Sequence, residues 1–557
     1  MQVLAQRTRV SIRKLLSIVC AVAVGGSVAC SKVSDRTGTI GAHPGWTQPG
    51  VLRVALPQDL KSLNVFLSSS TAEGFVERLM FEPLISADQH GTPVPILVLA
   101  VPSIDNGGIS ADGLMIVYHL RRDIRWSDGV ALTSKDVRWS WQAIMNPANN
   151  VVARNGYDVV RSIDTPDDAT VIVHLKKRFA PFVDTFFAES DQPFNIMPSH
   201  VLSKFPNVNQ ISFNTAPTVS DGPFRFVEWV HGDHITLAAN DQFFMGRPKL
   251  KQILISIVPD EHTTVQLLRT HAIDYMFQAS INTYKELKTV PGVKIAWNNM
   301  NGYQGIEINL LRPALRDRRV RLAIASAIDK AELVRTLTDG MVKVATEDLP
   351  DWMWAFNPNA KPPAFDPERS RKLLREAGYT AGPDGMFARN GERLQLLLVT
   401  DVADATHRKI CELVQAMLKA AGIDTSIKFY PADLLYAPAG MGGILHRGKF
   451  DLIMLPWYAG IDPDNSSQFM CRNMPPNGYN DTHYCTSEMD HLQADALSHY
   501  DLPARRRSYF AIESLLARDN PVIILWWQRQ QEPISVEFKG FTPNPTVESW
   551  NAWQWSI

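Results

Sequence analysis

The chain has 557 residues, of which 45% are hydrophobic, and its 56 basic side chains nearly balance 57 acidic ones, for a formal net charge of -1. This balance, without any Lys/Arg run, argues against a nucleic-acid-binding surface. At roughly 150 residues per domain, the length predicts two to four domains. Beyond the N-terminal segment no apolar run approaches the roughly 20 residues that a bilayer-spanning helix needs, so we expect no membrane-spanning domain.

The first 30 residues are typical of a secretion signal. Basic residues at positions 7, 9, 13 and 14 precede the apolar run 15–24, and small residues lead to Cys30. We predict that residues 1–29 are removed, which changes the formal charge to -1 - 4 = -5. The segment resembles a bacterial lipoprotein signal, with Ser27 where leucine is usual, and this predicts acylation of Cys30. A plain signal peptide and an uncleaved anchor are the alternatives.

The remaining cysteines have different predicted roles. Cys411 lies in the amphipathic run 411–421 and is expected to be a buried free thiol. Cys471 and Cys485 flank a turn-rich segment that contains two prolines and a glycine. In an oxidising compartment such a pair predicts a disulfide that closes a loop. A metal site that also uses His483 is the alternative, although it lacks a fourth ligand nearby.

Secondary-structure signals begin after a tether at 30–50 rich in Gly, Pro, Ser and Thr. Thr133 and Asp136 form a capping-box pattern for a helix at 135–145. His231 and His234 flank the turn of a predicted hairpin, which we favour over a metal site. The predicted strands of the first half are 51–55, 115–120, 170–175, 226–230 and 235–239.

The second half alternates helices and strands, which predicts an α/β domain. Asp317 is expected to cap one helix that continues to Gly340. Asp366 and Gly378 bracket another helix, in which Pro367 takes the first position. Further predicted elements are a helix at 405–421 and strands at 394–399, 425–429, 451–455, 522–527 and 534–538.

Known catalytic patterns are absent from the sequence. There is no G-x-S-x-G elbow, no H-E-x-x-H pair, no phosphate-binding P-loop and no C-x-x-C. We therefore predict no catalytic residues, no metal site and no cofactor, and expect that the protein is not an enzyme. A secreted hydrolase and a chaperone or adhesion protein are the alternatives from other functional classes.

Four colinear stretches resemble the extracellular solute-binding proteins of peptide and nickel ABC transporters, known as family 5. Residues 120–137 resemble the family's "LR..v.WsDG..lTa.DV" stretch, and Ser220 to Phe224 resemble "gtGPy". Residues 309–329 resemble "N...p...D.rVR.Ai..aiD", and 366–378 resemble "DPekAk.LL.eAG". The series extends over nearly the whole chain after the leader.

The resemblance implies an α/β, two-lobed periplasmic-binding-protein fold (type II, cluster C-like) that closes over a ligand by a hinge motion. A subdomain would be inserted in the first lobe, and hinges would lie near 299–303 and 526–530. The implied divisions are the first lobe at 51–85 and 217–302, the inserted subdomain at 86–216, the second lobe at 303–525, and a return to the first lobe at 526–557.

The resemblance also implies ligand-binding residues. In peptide-binding members an Asp in a "W.aDy" stretch pairs with the ligand's α-ammonium. Here Trp457 and Tyr458 match, but Gly460 occupies the Asp position, and Asp462 and Asp464 follow. Either acid replaces the missing charge only if the loop has a different shape. The absence of an Asp at position 460 predicts that this protein selects less strongly for peptides with a free amino terminus.

Five further residues complete the predicted ligand-binding set. Trp526 and Trp527 occupy a strand where one aromatic commonly lines the cleft, and neighbouring strand residues point in opposite directions, so one would face the core. Ser220 and Asp221 belong to the glycine-containing motif, and Tyr303 lies at a predicted hinge.

The expected function is that of a lipid-anchored receptor that binds an oligopeptide or peptide-like solute outside the cytoplasmic membrane and delivers it to an ABC permease. A metal chelate, haem or an oligosaccharide is the alternative solute. We expect a monomer in the periplasm or at the cell surface, attached to a membrane only by lipid at Cys30, with no nucleic-acid partner.

Overall fold

The computed structural model describes residues 45–557 except 69, 152, 191–193 and 438–441. The predicted signal peptide, Cys30 and most of the tether lie outside the described residues. None of the helices in the described part is both long and apolar enough to cross a membrane.

One ten-stranded sheet runs through the molecule. Its strands, in spatial order, are β16 (Asp424–Tyr430), β15 (Gln395–Asp401), β17 (Leu452–Tyr458), β11 (Val293–Ile308), β18 (Val522–Ser535), β10 (Tyr275–Met276), β1 (Val51–Leu56), β9 (Gln252–Ile257), β8 (His234–Ala239) and β7 (Phe224–Val230). Strands β15, β16 and β17 pair in parallel, as do β1, β9 and β10. The antiparallel pair β11 and β18 joins these two groups.

The other strands form small separate sheets. They are β2 (Ile85–Ala87) with β3 (Pro93–Pro95), then β4 (Met115–His119), β5 (Val160–Asp167) and β6 (Thr170–Leu175), and finally β12 (Thr380–Ala381), β13 (Phe387–Arg389) and β14 (Glu392–Arg393). The predicted strands of the first half are thus confirmed, with β7 and β8 forming the expected hairpin.

The prediction of two C-terminal strands is wrong, because β18 is a single strand of 14 residues. It pairs with the long strand β11 from Val293 opposite Ser535 to Glu307 opposite Val522. Strand β11 is long enough to pair with the polar stretch between the two predicted strands, so β18 continues through that stretch. The register shifts between Asn299 and Tyr303, inside a predicted hinge segment. Hinge motion there stays a prediction.

Helices pack against the ten-stranded sheet and against the small sheet of β4, β5 and β6. They are α1 (Thr71–Arg78), α2 (Ser134–Met145), α3 (Phe182–Thr185), α4 (Ser199–Leu202), α5 (Glu261–Arg269), α6 (Tyr284–Leu287), α7 (Arg318–Ala327), α8 (Lys330–Thr338), α9 (Pro367–Glu376), α10 (Ala405–Ala420), α11 (Ala432–Leu435), α12 (Ser466–Phe469), α13 (Ser487–Ser498) and α14 (Leu502–Asp519). The capping box of α2 is confirmed, since the Thr133 N–H donates to Asp136 Oδ2 at 2.8 Å.

The prediction of one helix from Asp317 to Gly340 is wrong. Ile328 has an extended backbone, with φ -98° and ψ 115°, and this ends α7. Asp329 then caps α8, accepting a hydrogen bond from the Glu332 N–H at 3.0 Å. Asp is a strong N-cap because its carboxylate satisfies a free helix amide. The pattern of Asp329 followed by Glu332 therefore indicates a helix start in the sequence itself.

The largest buried apolar clusters lie on the two sides of the β11–β18 pair. The first core draws on residues 52–277 and 534–555. The second core draws on 306–454 and 523–526, and a third cluster packs 345–355 and 469–515 against the opposite face of β18. The connecting strands therefore lie between separately packed apolar cores, and the lobe boundaries stay a prediction.

Both cysteine predictions are confirmed. Cys471 and Cys485 form a disulfide across the turn-rich loop. Cys411 is a buried free thiol on α10, where burial raises its pKa to about 12. Such a thiol packs as a small apolar side chain.

Candidate ligand-binding site

A cavity of about 630 Å³ opens at the end of β17. One wall comes from residues 155–159 before β5 and residues 177–190 after β6, which include α3, and the other from 457–478 and 494–498. The described lining includes aromatic, acidic and basic side chains from both walls. They are Phe179, Trp457, Tyr458, Asp158, Asp184, Asp462, Asp464, Lys177, Arg178 and Arg472.

Two backbone hydrogen bonds and one side-chain hydrogen bond join the segments that carry the two walls. The Ile461 N–H donates to the Glu189 carbonyl at 3.1 Å, and the Ala180 N–H donates to the Leu497 carbonyl at 2.7 Å. The Tyr500 hydroxyl donates to the Gly113 carbonyl at 3.0 Å. Because these bonds cross from residues 113–189 to residues 461–500, they hold the walls together around the cavity.

Strand β17 presents its last two aromatics beside the cavity. Gly302 of β11 pairs with Tyr458, and a Cβ at Gly302 would lie 2.2 Å from the Trp457 carbonyl oxygen. Only glycine therefore permits this close pairing. Tyr458 is 47% exposed, and Trp457 meets Tyr479 edge-on at 5.7 Å. Both aromatics line the cavity, and their contact with a ligand stays a prediction.

The loop after β17 contains Gly460, whose carbonyl accepts a hydrogen bond from Asn301 Nδ2 at 2.9 Å. Asp462, one of the two candidate replacements for the missing acid, is already paired. Arg505 Nη1 and Nη2 donate to its two carboxylate oxygens, each at 2.7 Å. The side chains of Arg505 and Asp462 are only 4% and 7% exposed. Asp462 lines the cavity but offers no unpaired charge to a ligand.

Asp464 and Asp184 face the same cavity from opposite walls. Asp464 accepts a hydrogen bond from the Ser466 N–H at 2.9 Å, and burial followed by the charge of Asp462 raises its pKa. Burial and the charge of Asp462 also raise the pKa of Asp184 to about 7, although Arg505 partly opposes the shift. The positive charge of Arg505 lowers the pKa of both Asp184 and Asp464, but its hydrogen bonds go to Asp462.

Sequence reasoning missed Asp184 and Arg505. Asp184 is the single charged residue in the apolar stretch 179–188, and an isolated carboxylate in such a stretch is a signal in itself. Arg505 follows two positions after the Pro that opens α14, and nothing in its local sequence marks it as the partner of Asp462. That pairing exists only through the tertiary fold.

The other five predicted ligand-binding residues lie outside the cavity. Trp526 packs in the second core and Trp527 in the third cluster, each 4% exposed. Packing on both faces of the sheet buries both rings, and neither lines this cavity. Ser220, Asp221 and Tyr303 are also buried.

Each of these buried polar groups has a structural contact. Ser220 donates its hydroxyl to the Phe224 carbonyl at 3.2 Å. Asp221 accepts from the Glu82 N–H at 3.2 Å, and the Tyr303 hydroxyl accepts from Gln468 Nε2 at 3.0 Å. Their role in ligand binding stays a prediction.

A second cavity, of about 290 Å³, adjoins the first. Ser190, Tyr458 and Ala459 line both. Within the part of the chain that the structure describes, no group of three or more His, Cys, Asp or Glu residues is arranged to hold a metal ion.

Comparison with known proteins assigns the family. Residues 94–478 match the model for "Bacterial extracellular solute-binding proteins, family 5 Middle". The oligopeptide-binding protein AppA of Bacillus subtilis (strain 168) is 23% identical over 546 residues, covering 97% of this chain and 98% of AppA.

Two solved structures share the fold. NikZ from Campylobacter jejuni in complex with Ni(L-His) has a TM-score of 0.78 at 24% identity, covering 92% of this chain and 100% of NikZ. AppA from Bacillus subtilis in complex with a nonapeptide has a TM-score of 0.76 at 23% identity, covering 91% of this chain and 99% of AppA. The fold is two-lobed and α/β, and the chain belongs to the family 5 bacterial extracellular solute-binding proteins, which are transport receptors and not enzymes.

Proposed function

We propose that this receptor binds an oligopeptide or peptide-like solute between its lobes and delivers it to an ABC permease. The observation that carries the proposal is the mixed chemistry of the 630 Å³ cavity, where carboxylates, basic groups and aromatic faces line one space. A peptide carries charges of both signs and apolar side chains, so this lining complements it. The nonapeptide bound to AppA, which shares the fold, supports the same ligand class.

The charge at the ligand's amino terminus is the most specific part of the proposal. Gly460 supplies no carboxylate, and Arg505 neutralises Asp462. Asp464 and Asp184 are the half-buried acids of the lining that can accept a hydrogen bond from an ammonium group, whereas the lining residue Asp158 is exposed. A charge-assisted hydrogen bond of this kind contributes roughly 1.5 to 3 kcal/mol, or about one to two decades in affinity.

Calorimetry on one tripeptide with a free and an acetylated amino terminus tests this assignment. We expect acetylation to weaken binding to the natural protein, and to weaken it less in Asp464→Asn and Asp184→Asn. Asp105→Asn, on an exposed turn, is the matched control. Equal loss on acetylation in all four proteins would show that neither acid binds the ammonium.

The nature of the solute is tested by mass spectrometry of what copurifies with the protein. A recovered peptide supports the proposal. Recovery of a metal chelate, haem or an oligosaccharide instead would replace the peptide by that solute, while the receptor class would stay the same.

Lipid anchoring and assembly extend the same proposal. Acylation at Cys30 and a tether at 30–50 would keep the receptor near its permease in the periplasm or at the cell surface. We further propose that the receptor is a monomer, with its lobes divided at the boundaries given above. The separate cores on either side of β11 and β18 support this division.

A further inference from the structure

The connection between α13 and α14 joins two separately packed parts of the molecule. The two helices pack in the third cluster, through side chains such as Met489, Ala496 and Tyr509. Tyr500 lies in the connection between them, yet its ring packs against the first core. One side chain of the predicted second lobe therefore reaches into the predicted first lobe.

The Tyr500 hydroxyl meets two backbone carbonyls of the opposite wall. Its oxygen lies 3.0 Å from the Gly113 carbonyl oxygen and 3.3 Å from that of Phe179. Burial raises the pKa of Tyr500, so the hydroxyl keeps the proton that it donates. The ring therefore contributes an apolar contact and a hydrogen bond to the same place.

Gly113 leaves room for the tyrosine ring. Its φ is +68°, in the region that favours glycine, and a Cβ built there would lie 2.4 Å from Tyr500 Cε2. A larger residue at position 113 would therefore displace the ring. The contact depends on the residue types at both positions.

Tyr500 is not among the described residues that line either cavity. Its contacts with Gly113 and Phe179 are therefore the same whichever solute lies between the walls. A contact that forms only when the walls meet shifts the equilibrium towards the closed arrangement. The apparent affinity for a solute that binds the closed arrangement rises with the fraction of protein that is closed.

We propose that Tyr500, with Gly113 and Phe179, forms a closure latch that stabilises the closed arrangement of the lobes independently of the solute's chemistry. When the lobes open, the ring leaves Gly113 and is exposed to water. The inference rests on the predicted hinge motion. It goes beyond the proposed function, because the latch acts in the same way on a peptide and on any other solute.

Small-angle X-ray scattering of the protein without a solute tests the latch. We expect a larger radius of gyration for Tyr500→Ala than for the natural protein, and an intermediate value for Tyr500→Phe, which loses only the hydroxyl. Leu502→Ala, at a position that is 55% exposed, is the matched control and should scatter like the natural protein. Superimposable profiles for the natural protein and folded Tyr500→Ala overturn the latch.

Gly113→Ala changes the same contact from the opposite wall, and it replaces Tyr500→Ala as the test if that variant unfolds early in a thermal melt. Its methyl group should displace the ring and expand the unliganded protein. In the double variant with Tyr500→Ala we expect no expansion beyond that of Tyr500→Ala alone, because the contact is already lost. Expansion that adds up across the two changes would overturn the latch as a direct contact.

Calorimetry with three tripeptides, tri-alanine and its variants with a central Phe or Lys, gives a second measurement. Tyr500→Ala should weaken all three by a common factor, on the order of 10-fold, because a smaller fraction of the protein is closed. A loss that differs between the tripeptides would show that Tyr500 contacts the solute, which overturns the latch. If the natural protein binds none of them, the proposed function fails, while the scattering measurement still decides the latch.

Discussion

Arg505→Met is expected to destabilise the protein by about 3 to 5 kcal/mol, because it leaves the Asp462 carboxylate buried without its partner. The natural pair makes two hydrogen bonds of 2.7 Å, and neither side chain is more than 7% exposed. Asp184 and Asp464 lie close enough for the charge of Asp462 to raise their pKa values. Removal of the guanidinium also removes the positive charge that lowers the pKa of both carboxylates.

The free energy of unfolding is measured by urea denaturation followed by circular dichroism. Arg507→Met, an exposed position on the same helix α14, is the matched control and should change stability by no more than about 0.5 kcal/mol. The double variant Arg505→Met with Asp462→Asn should recover part of the loss, since it removes the uncompensated charge. A loss in Arg505→Met no larger than in Arg507→Met would refute the structural role of the ion pair.

Three further predictions concern the disulfide, a raised pKa and the anchor. Replacing Cys471 and Cys485 together by serine should cost roughly 3 kcal/mol in the chain-entropy model, measured by the same denaturation; an unchanged midpoint would contradict this. The folded-state pKa of Asp184 is raised from 3.8 to about 7, so its contribution to stability is full below pH 3.8 and is lost as the pH rises to about 7. Asp184→Asn should therefore flatten the decline of stability over that interval, and superimposable pH profiles would exclude it. Labelled palmitate should enter the natural protein and not Cys30→Ala, and equal incorporation would disprove acylation at Cys30.

Local sequence determined the features whose physical cause is local. The capping box of Thr133 and Asp136, the hairpin around Gly232, and the free thiol of Cys411 each depend on neighbouring residues, and all three are confirmed. The family followed from colinear motifs, which do not require a tertiary structure. Even the break between α7 and α8 had a local signal at Asp329, because the carboxylate caps the second helix.

The tertiary structure decided which side chains reach the ligand cavity. As aromatic residues, Trp526 and Trp527 were reasonable candidates for lining the cleft. Packing on both faces of β18 instead buries each ring in a different core. Asp462 was an equally reasonable candidate for binding the ligand's ammonium group. Arg505, 43 positions away in the sequence, instead neutralises its charge. Charge compensation and burial depend on partners distant in sequence, and residue order alone does not specify those partners.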